Sequence, residues 1–144
     1  MDELIYDRTE QDVEYAKTHQ SSEDFLKGAY NYTDLNRIES WCEYLKTQLN
    51  IAGYTTNITT KTDWSMADFP TEAQLERIRN NVSTLKNAFY AATNVPTNLN
   101  NMTYKKANDI EKILEEMHNM MWRNDRLVRL FWSSQRRTKQ TMAT

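Results

Sequence analysis

Only a few side chains in this sequence have the type and spacing that catalysis or metal binding requires. Glu115 and His118 form one Glu-x-x-His turn, which places both side chains on one face of a helix. A di-iron bundle needs two such turns with further glutamates, and the second histidine, His19, lies outside the predicted long helices. Glu39 and Glu43 lie one helical turn apart, and helix-surface charge pairing explains them better than proton sharing does. We therefore expect no metal site and no catalytic residues.

Nucleophiles and phosphate-binding loops give no stronger signal. Cys42 is the only cysteine and lies on an apolar helix face, which predicts a buried thiol rather than a nucleophile. The sequence contains neither a glycine-rich phosphate loop nor a Gly-x-Ser-x-Gly elbow, and its two glycines offer little material for a nucleotide site. These observations predict a protein that is not an enzyme, with no cofactor and no small-molecule substrate.

The composition predicts that helices form the framework of the protein. A chain of 144 residues normally makes one domain with a sizeable core, and a hydrophobic content of 39% argues against disorder. The two glycines and two prolines are far below ordinary usage of about 7% and 5%. Long helices tolerate such a shortage, whereas sheets connected by tight turns do not.

Three apolar seams, with alternating steps of three and four residues, predict three long helices. We expect the first from about Thr33 to Ala52, the second from Thr71 and the third from Thr103, with each of these threonines capping its helix. The seam residues are Leu35, Ile38, Cys42, Leu45 and Leu49; Leu75, Ile78, Val82, Leu85 and Phe89; and Ala107, Ile110, Leu114, Met117, Met121, Asn124, Val128 and Phe131. The predicted fold is mainly α: an elongated bundle of three long heptad-patterned helices, packed antiparallel within one chain or as a trimeric coil.

Two shorter segments are also predicted. A short helix from about Thr9 to His19, capped by Thr9, is expected to pack as an N-terminal flap, and Gly28 to adopt a left-handed conformation. Residues 54–62 are rich in β-branched side chains and predict one short strand, whose backbone would need the N-terminal arm, another subunit or water as its partner. The predicted divisions are an N-terminal arm at 1–28, a helical bundle domain at 29–132 and a flexible basic tail at 133–144.

A short phrase at the start of the first helix returns at the start of the third. Tyr32, Asn36, Ile38, Glu39 and Glu43 are matched seventy-two residues later by Tyr104, Asn108, Ile110, Glu111 and Glu115. We expect the repeated asparagines to form hydrogen bonds at helix starts, and Arg37 and Glu39 to form ion pairs across a helix boundary. The alternative is that they only satisfy local helix ends. The predicted interaction residues are Asn36, Arg37, Glu39, Asn108, Glu111, Arg123, Arg126, Arg129 and Trp132.

The charge of the chain is unevenly distributed. Residues 123–144 contain six basic residues and one aspartate, which give +5, so the net charge of −2 leaves −7 on the first 122 residues. One interpretation is that this segment contacts an acidic surface, of this protein or of a partner. The alternative is that it is a solvated helix end. Its arginines and aromatics could bind nucleic acid, but the chain is acidic overall and has no recognition motif. We therefore expect no nucleic-acid binding.

Membrane insertion and export are not expected either. No stretch of the sequence approaches the roughly 20 apolar residues that a membrane span needs. The first residues lack the basic start and apolar run of a signal peptide. We therefore expect a protein that is made in a cytoplasm and does not insert into a membrane.

Three sequence blocks between residues 30 and 114 resemble a family of known proteins. The first is Tyr30-Asn31-Tyr32-Thr33-Asp34-Leu35-Asn36-Arg37-Ile38-Glu39. The second comprises Thr60-Lys61-Thr62-Asp63-Trp64, Asp68-Phe69-Pro70-Thr71 and Leu75-Glu76-Arg77, and the third comprises Leu99, Met102-Thr103-Tyr104 and residues 107–114. In this order they are similar to tail-fibre and baseplate-associated structural proteins of phages and prophages of Gram-positive bacteria, and to the equivalent parts of phage-tail-like bacteriocins.

The resemblance implies a non-enzymatic virion component of a tail tip, baseplate or fibre. Such a component would form a homo-oligomer, a trimer or higher, and its partners would be other phage tail or baseplate proteins. Its location would be the tail region of the virion. The alternative is a soluble helical adaptor, or an assembly chaperone for another virion protein.

Overall fold

The computed structural model describes residues 1–20 and 26–143, with side chains described as far as Arg123. Within these residues the protein is mainly α, with four helices and no strand, and the mainly α prediction is therefore confirmed. The helices are α1 (Glu10–Thr18), α2 (Tyr32–Ile51), α3 (Glu72–Ala88) and α4 (Tyr104–Ala143). The predicted seam residues Asn124, Val128 and Phe131, and the predicted tail at 133–144, lie outside the described side chains.

Side-chain caps fix the start of each helix. α1 begins after Thr9, whose hydroxyl accepts the Asp12 amide, as the sequence predicted. α2 begins after Asn31, whose side chain accepts the Thr33 amide, while Asp34 binds the Asn31 amide in return. The prediction of Thr33 as the cap is wrong, because Asn31 can form this reciprocal pair two residues earlier.

The two remaining caps lie where the sequence places them. Thr71 and Gln74 form a reciprocal capping box at the start of α3. The Thr103 hydroxyl accepts the amide of Lys106 at 3.2 Å at the start of α4. Each cap satisfies amides that the first helical turn leaves without an internal partner.

The three long helices, α2, α3 and α4, contact one another in all three pairs and run in the same direction. Arg37, the sixth residue of α2, contacts Glu111, the eighth of α4. Arg77, the sixth residue of α3, contacts Glu39, the eighth of α2. The prediction of antiparallel helices is wrong because the connections are extended segments rather than short loops. At about 3.3 Å per residue, residues 54–70 can return the chain along α2, which is about 30 Å long.

The apolar seams meet in layers between the parallel helices. Counted from the helix starts, Ile38, Ile78 and Ile110 hold the same position, and each is at most 2% exposed. The next seam positions, one and two helical turns further on, are also buried: Cys42, Val82 and Leu114, then Leu45, Leu85 and Met117. Matched layers of this kind explain why a parallel arrangement buries all three seams at once.

Three non-helical segments accompany the long helices; we call them arm 1 (residues 1–8), arm 2 (54–64) and arm 3 (90–99). Arm 2 contains residues 54–62. The prediction of a strand there is wrong, because the segment is not paired with another strand among the described residues. Thr56 and Ile58 alternate inward as in a strand. Side chains of α2 and α3 replace the missing strand, since Asn50 accepts the Thr56 amide and Asn81 donates to the Thr59 carbonyl.

The two glycines have different conformational roles. Gly53 follows α2 with a φ of 95°, the left-handed conformation that ends the helix. Gly28 has no positive φ, so its predicted left-handed conformation is wrong. A Cβ at Gly28 would lie 2.1 Å from the carbonyl oxygen of Asp12. Gly28 therefore allows the chain to approach the backbone of α1 closely.

Candidate functional site

The repeated asparagines each bind both backbone polar groups of one arm residue. In arm 2, the Asn36 amide nitrogen donates to the Trp64 carbonyl at 2.9 Å, and the Trp64 backbone amide donates back to Asn36 Oδ1 at 2.8 Å. In arm 1, Asn108 makes the same two bonds with Arg8, at 2.9 and 3.1 Å. Each asparagine therefore supplies the pairing that a neighbouring strand would otherwise provide.

The repeated glutamates bind the same two arms three residues earlier. The Lys61 backbone amide donates to Glu39 Oε1 at 3.0 Å, and the Ile5 backbone amide donates to Glu111 Oε1 at 3.0 Å. Both carboxylates are at most 1% exposed. An asparagine and a glutamate three residues apart on one helix thus fix an arm at two points, an arrangement that we call the arm clamp.

Helix α3 holds arm 3 with basic side chains at related positions. Arg79 occupies the helix position of the two clamp glutamates and donates from Nε to the Pro96 carbonyl at 2.6 Å. Two helical turns further along α3, Lys86 donates to the Thr93 carbonyl at 2.6 Å. These basic residues donate hydrogen bonds to arm carbonyls, whereas the clamp glutamates accept hydrogen bonds from arm amides. The direction of the hydrogen bonds is therefore reversed at α3.

The sequence also contains a signal that relates α3 to the other helices, which the search for the repeated polar phrase missed. Leu35, Arg37 and Ile38 of α2 are matched forty positions later by Leu75, Arg77 and Ile78. Because Asn36 and Glu39 have no counterpart of the same type in α3, a search for the polar phrase does not find it. The arm partners themselves were not visible, since they lie far away in the chain.

A buried network of four charges joins arm 1 to α2 and α4. Arg8 contacts Asp34 at 3.2 Å and Glu111 at 2.8 Å. Arg37 contacts the same two carboxylates, at 2.5 and 2.6 Å. All four side chains are at most 5% exposed. Two positive and two negative charges balance, which is the condition under which such groups are tolerated in an interior.

The network favours the charged form of Arg37. Burial by itself lowers the pKa of Arg37, but hydrogen bonds and charge from Glu111, followed by those from Asp34, raise that pKa above its ordinary value. Beside the network, burial raises the pKa of Tyr30, and the nearby carboxylates of Glu111 and Asp34 raise it further. The shift at Arg37 is typical of a structural ion pair, because it favours the charged form.

A second polar centre joins arm 2 to α2 and α3 at Glu39. The indole N–H of Trp64 and the guanidinium of Arg77 both donate to this carboxylate. Arg77 also donates to the Thr59 carbonyl at 2.7 Å, so one arginine reaches both the clamp and the arm. The neighbouring Glu43 accepts the Thr60 hydroxyl at 2.8 Å. Glu39 and Glu43 thus bind different partners.

A cavity of about 860 Å³ opens at the end of the molecule where α2, α3 and α4 begin. Leu35, Leu75 and Ala107, one from each long helix, form part of its apolar lining. Phe69 and Met66 also line it and are 86% and 80% exposed. The only described buried side-chain polar atom without a hydrogen-bond partner, the hydroxyl of a lining tyrosine, belongs to the same region.

The residues that the sequence analysis weighed as a nucleophile or as metal ligands do not line this cavity. Cys42 is buried, and burial, with a further contribution from the charge of Glu39, raises the pKa of its thiol. His118 packs against the ring of Trp41, with centroids 5.1 Å apart, and Glu115 accepts from Asn119. Across the described part of the chain, no group of three or more His, Cys, Asp or Glu side chains is arranged to hold a metal ion.

The predicted interaction residues divide into two sets. Asn36, Arg37, Glu39, Asn108 and Glu111 come together within one chain as the arm clamps and the charge network. The others are Arg123, which is exposed, and Arg126, Arg129 and Trp132, which lie outside the described side chains. The first set therefore braces the fold, and an intermolecular role remains a prediction for the second.

No helix among those described is long and apolar enough to cross a bilayer. Comparisons with protein-family models, with curated proteins and with solved structures found no match to this chain.

Proposed function

We propose that this protein is a non-enzymatic structural component of a phage tail tip, baseplate or fibre. In this proposal the elongated bundle of α2, α3 and α4 is a rigid module that packs against copies of itself or neighbouring virion proteins. The three sequence blocks at residues 30–114 support this assignment by resemblance. The buried polar side chains support it by their use, because the asparagines and glutamates of the arm clamps bind backbone groups of the protein itself.

The observation that carries the proposal is the pair of arm clamps. Asn36 with Glu39 and Asn108 with Glu111 fix extended segments that have no strand partner within the described chain. Buried, fully paired polar groups make a fold specific and rigid, which a load-carrying assembly component requires. An enzyme would instead direct its buried titratable groups at a substrate.

A second candidate function is a helical adaptor or assembly chaperone for another virion protein. The cavity favours it, because Phe69 and Met66 present apolar side chains beside an opening of about 860 Å³. Exposed apolar surface around a concave opening is typical of protein-binding sites. An adaptor of this kind would leave before or during assembly.

Quantitative mass spectrometry of particles purified on a density gradient distinguishes the two functions. A structural component is expected in intact particles at a fixed ratio to the other tail proteins. A chaperone is expected only in the lysate and in assembly intermediates. Absence of the protein from intact particles would overturn the structural proposal.

A further inference from the structure

We propose that copies of this protein associate head to tail, with the basic C-terminal segment of one copy (residues 124–144) docking at the cavity of the next. This inference rests on the proposed structural function and gives its mode of self-assembly. The occupant is thus a second copy of the chain, and the docking site is the end where the long helices begin. Shape, position and charge each contribute to the argument.

Position prevents a chain from filling its own cavity with this segment. Thr103 and Tyr104 at the start of α4 line the cavity, while α4 continues to Ala143. By helix geometry, its residues beyond Arg123 begin about 30 Å from that start. A segment that leaves from the opposite end can reach the same cavity only on another copy.

Charge favours the cavity end as the partner. The exposed acids Glu10, Glu14 and Asp68 line the cavity, against one exposed base, Lys17. The remaining charged lining residue, Arg8, is neutralised by Asp34 and Glu111. Residues 124–144 contain five basic residues and one aspartate, which give +4, so an acidic opening attracts them.

The same charge disfavours the obvious alternative, a parallel coiled coil formed by the C-terminal segments of several copies. The apolar seam of α4 continues in sequence through Val128 and Phe131, which by itself would suit such a coil. A parallel coil would align Arg126, Arg129 and their neighbours beside their own copies, and like charges in such proximity repel. Head-to-tail docking instead places the aromatic side chains of the segment in an apolar cavity. It also places the arginines of the segment beside the acidic side chains that line the cavity.

A contact between two different surfaces of the same chain has a definite consequence for assembly. Every open chain of copies keeps one unoccupied cavity and one unoccupied segment unless a ring closes, so association increases with concentration. Sedimentation velocity of the nuclease-treated full-length protein should therefore give a mean mass that rises with concentration at low salt and less steeply at moderate salt.

Two full-length variants test the two surfaces separately. Phe69→Asp alters the cavity, and Arg126→Glu with Arg129→Glu alters the segment. Each is expected to weaken self-association by at least about tenfold. Tyr90→Asp, at a residue 54% exposed and outside the cavity lining, is the matched control for the first and should associate like the unaltered protein. Lys105→Glu with Lys112→Glu is the charge-matched control for the second.

Mixing the two variants gives the decisive result. The arginine variant retains an intact cavity and the Phe69 variant an intact segment, so the mixture should form dimers but no larger species. A wild-type protein that stays monomeric at low salt, an unaffected Phe69→Asp variant, or a mixture without dimers would each overturn the proposal. Particle composition tests the structural function independently of these outcomes.

Discussion

At the scale of single residues, the polar side chains at the helix starts act on the backbone of distant segments. Asn36 and Asn108 each satisfy one donor and one acceptor of an arm, and each is followed by a glutamate that accepts a further amide. The sequence repeat predicted which residues matter. It did not predict their partners, because Ile5 and Glu111 are 106 residues apart and share no local pattern.

Removing a clamp asparagine should destabilise the fold. Asn36→Ala and Asn108→Ala each leave two backbone groups without their partner, and we expect each to lower the free energy of unfolding by about 1–3 kcal/mol. Urea denaturation monitored by circular dichroism measures the change. Asn119→Ala, at an exposed position of α4, is the control and should leave stability unchanged or slightly higher. Equal stability of all three variants would refute the clamp.

Breaking the buried charge network should lower the free energy of unfolding more than breaking an exposed ion pair does. Arg37→Met should lower the free energy of unfolding by about 3–5 kcal/mol, because Glu111 and Asp34 would stay buried with only Arg8 between them. Lys17→Ala, which removes the exposed pair with Glu14, should change it by roughly 0–1 kcal/mol. The same urea titration compares them, and similar losses for both would contradict a buried network.

The Cys42 thiol should be inert and should make stability depend on alkaline pH. Because its folded-state pKa is raised, the unfolded chain loses this proton first, so stability falls as pH rises above about 8.5. Comparing urea midpoints of wild type and Cys42→Ala from pH 7 to 10 isolates this slope. We also expect slow modification by a disulfide reagent at pH 8, and labelling at the rate of a free thiol would refute the burial.

At the scale of elements, features that depend on neighbouring residues were predictable. The caps at Thr9, Thr71 and Thr103 follow from patterns three residues long. The error over residues 54–62 has a different cause. Their composition does indicate extended backbone with alternating burial, but only the tertiary structure supplies helix side chains, in place of a strand, as the hydrogen-bond partners.

The two glycines should respond differently to a methyl group. In Gly28→Ala, the new Cβ would meet the backbone of Asp12, so α1 must move, at a cost of about 1–3 kcal/mol. In Gly53→Ala there is nothing within 4 Å, and only the positive φ costs roughly 1–2 kcal/mol. Limited proteolysis should then detect faster cleavage within α1 for Gly28→Ala alone. Equal cleavage of both variants would show that Gly28 does not hold α1.

At the scale of the whole molecule, the direction of the helices could not be read from the seams. The apolar side chains of a heptad seam can be buried equally well in parallel and antiparallel bundles. The direction of the helices therefore depends on the segments that connect them. Residues 53–70 and 91–102 lack a helical pattern, and short loops at these positions would favour antiparallel helices. The arms show the alternative: each connection runs back along the helices and is itself part of the packed structure.

The most direct test of this account is native-state hydrogen exchange at the arm amides that the clamps bind, those of Ile5, Arg8, Lys61 and Trp64. These residues belong to no helix or strand, yet their amides donate to buried or half-buried side chains. We predict exchange that requires an opening free energy close to that of global unfolding. Exchange at the rate of an unstructured peptide would mean that the arms are not clamped, and would contradict the account of the fold as a helical bundle braced by its own arms.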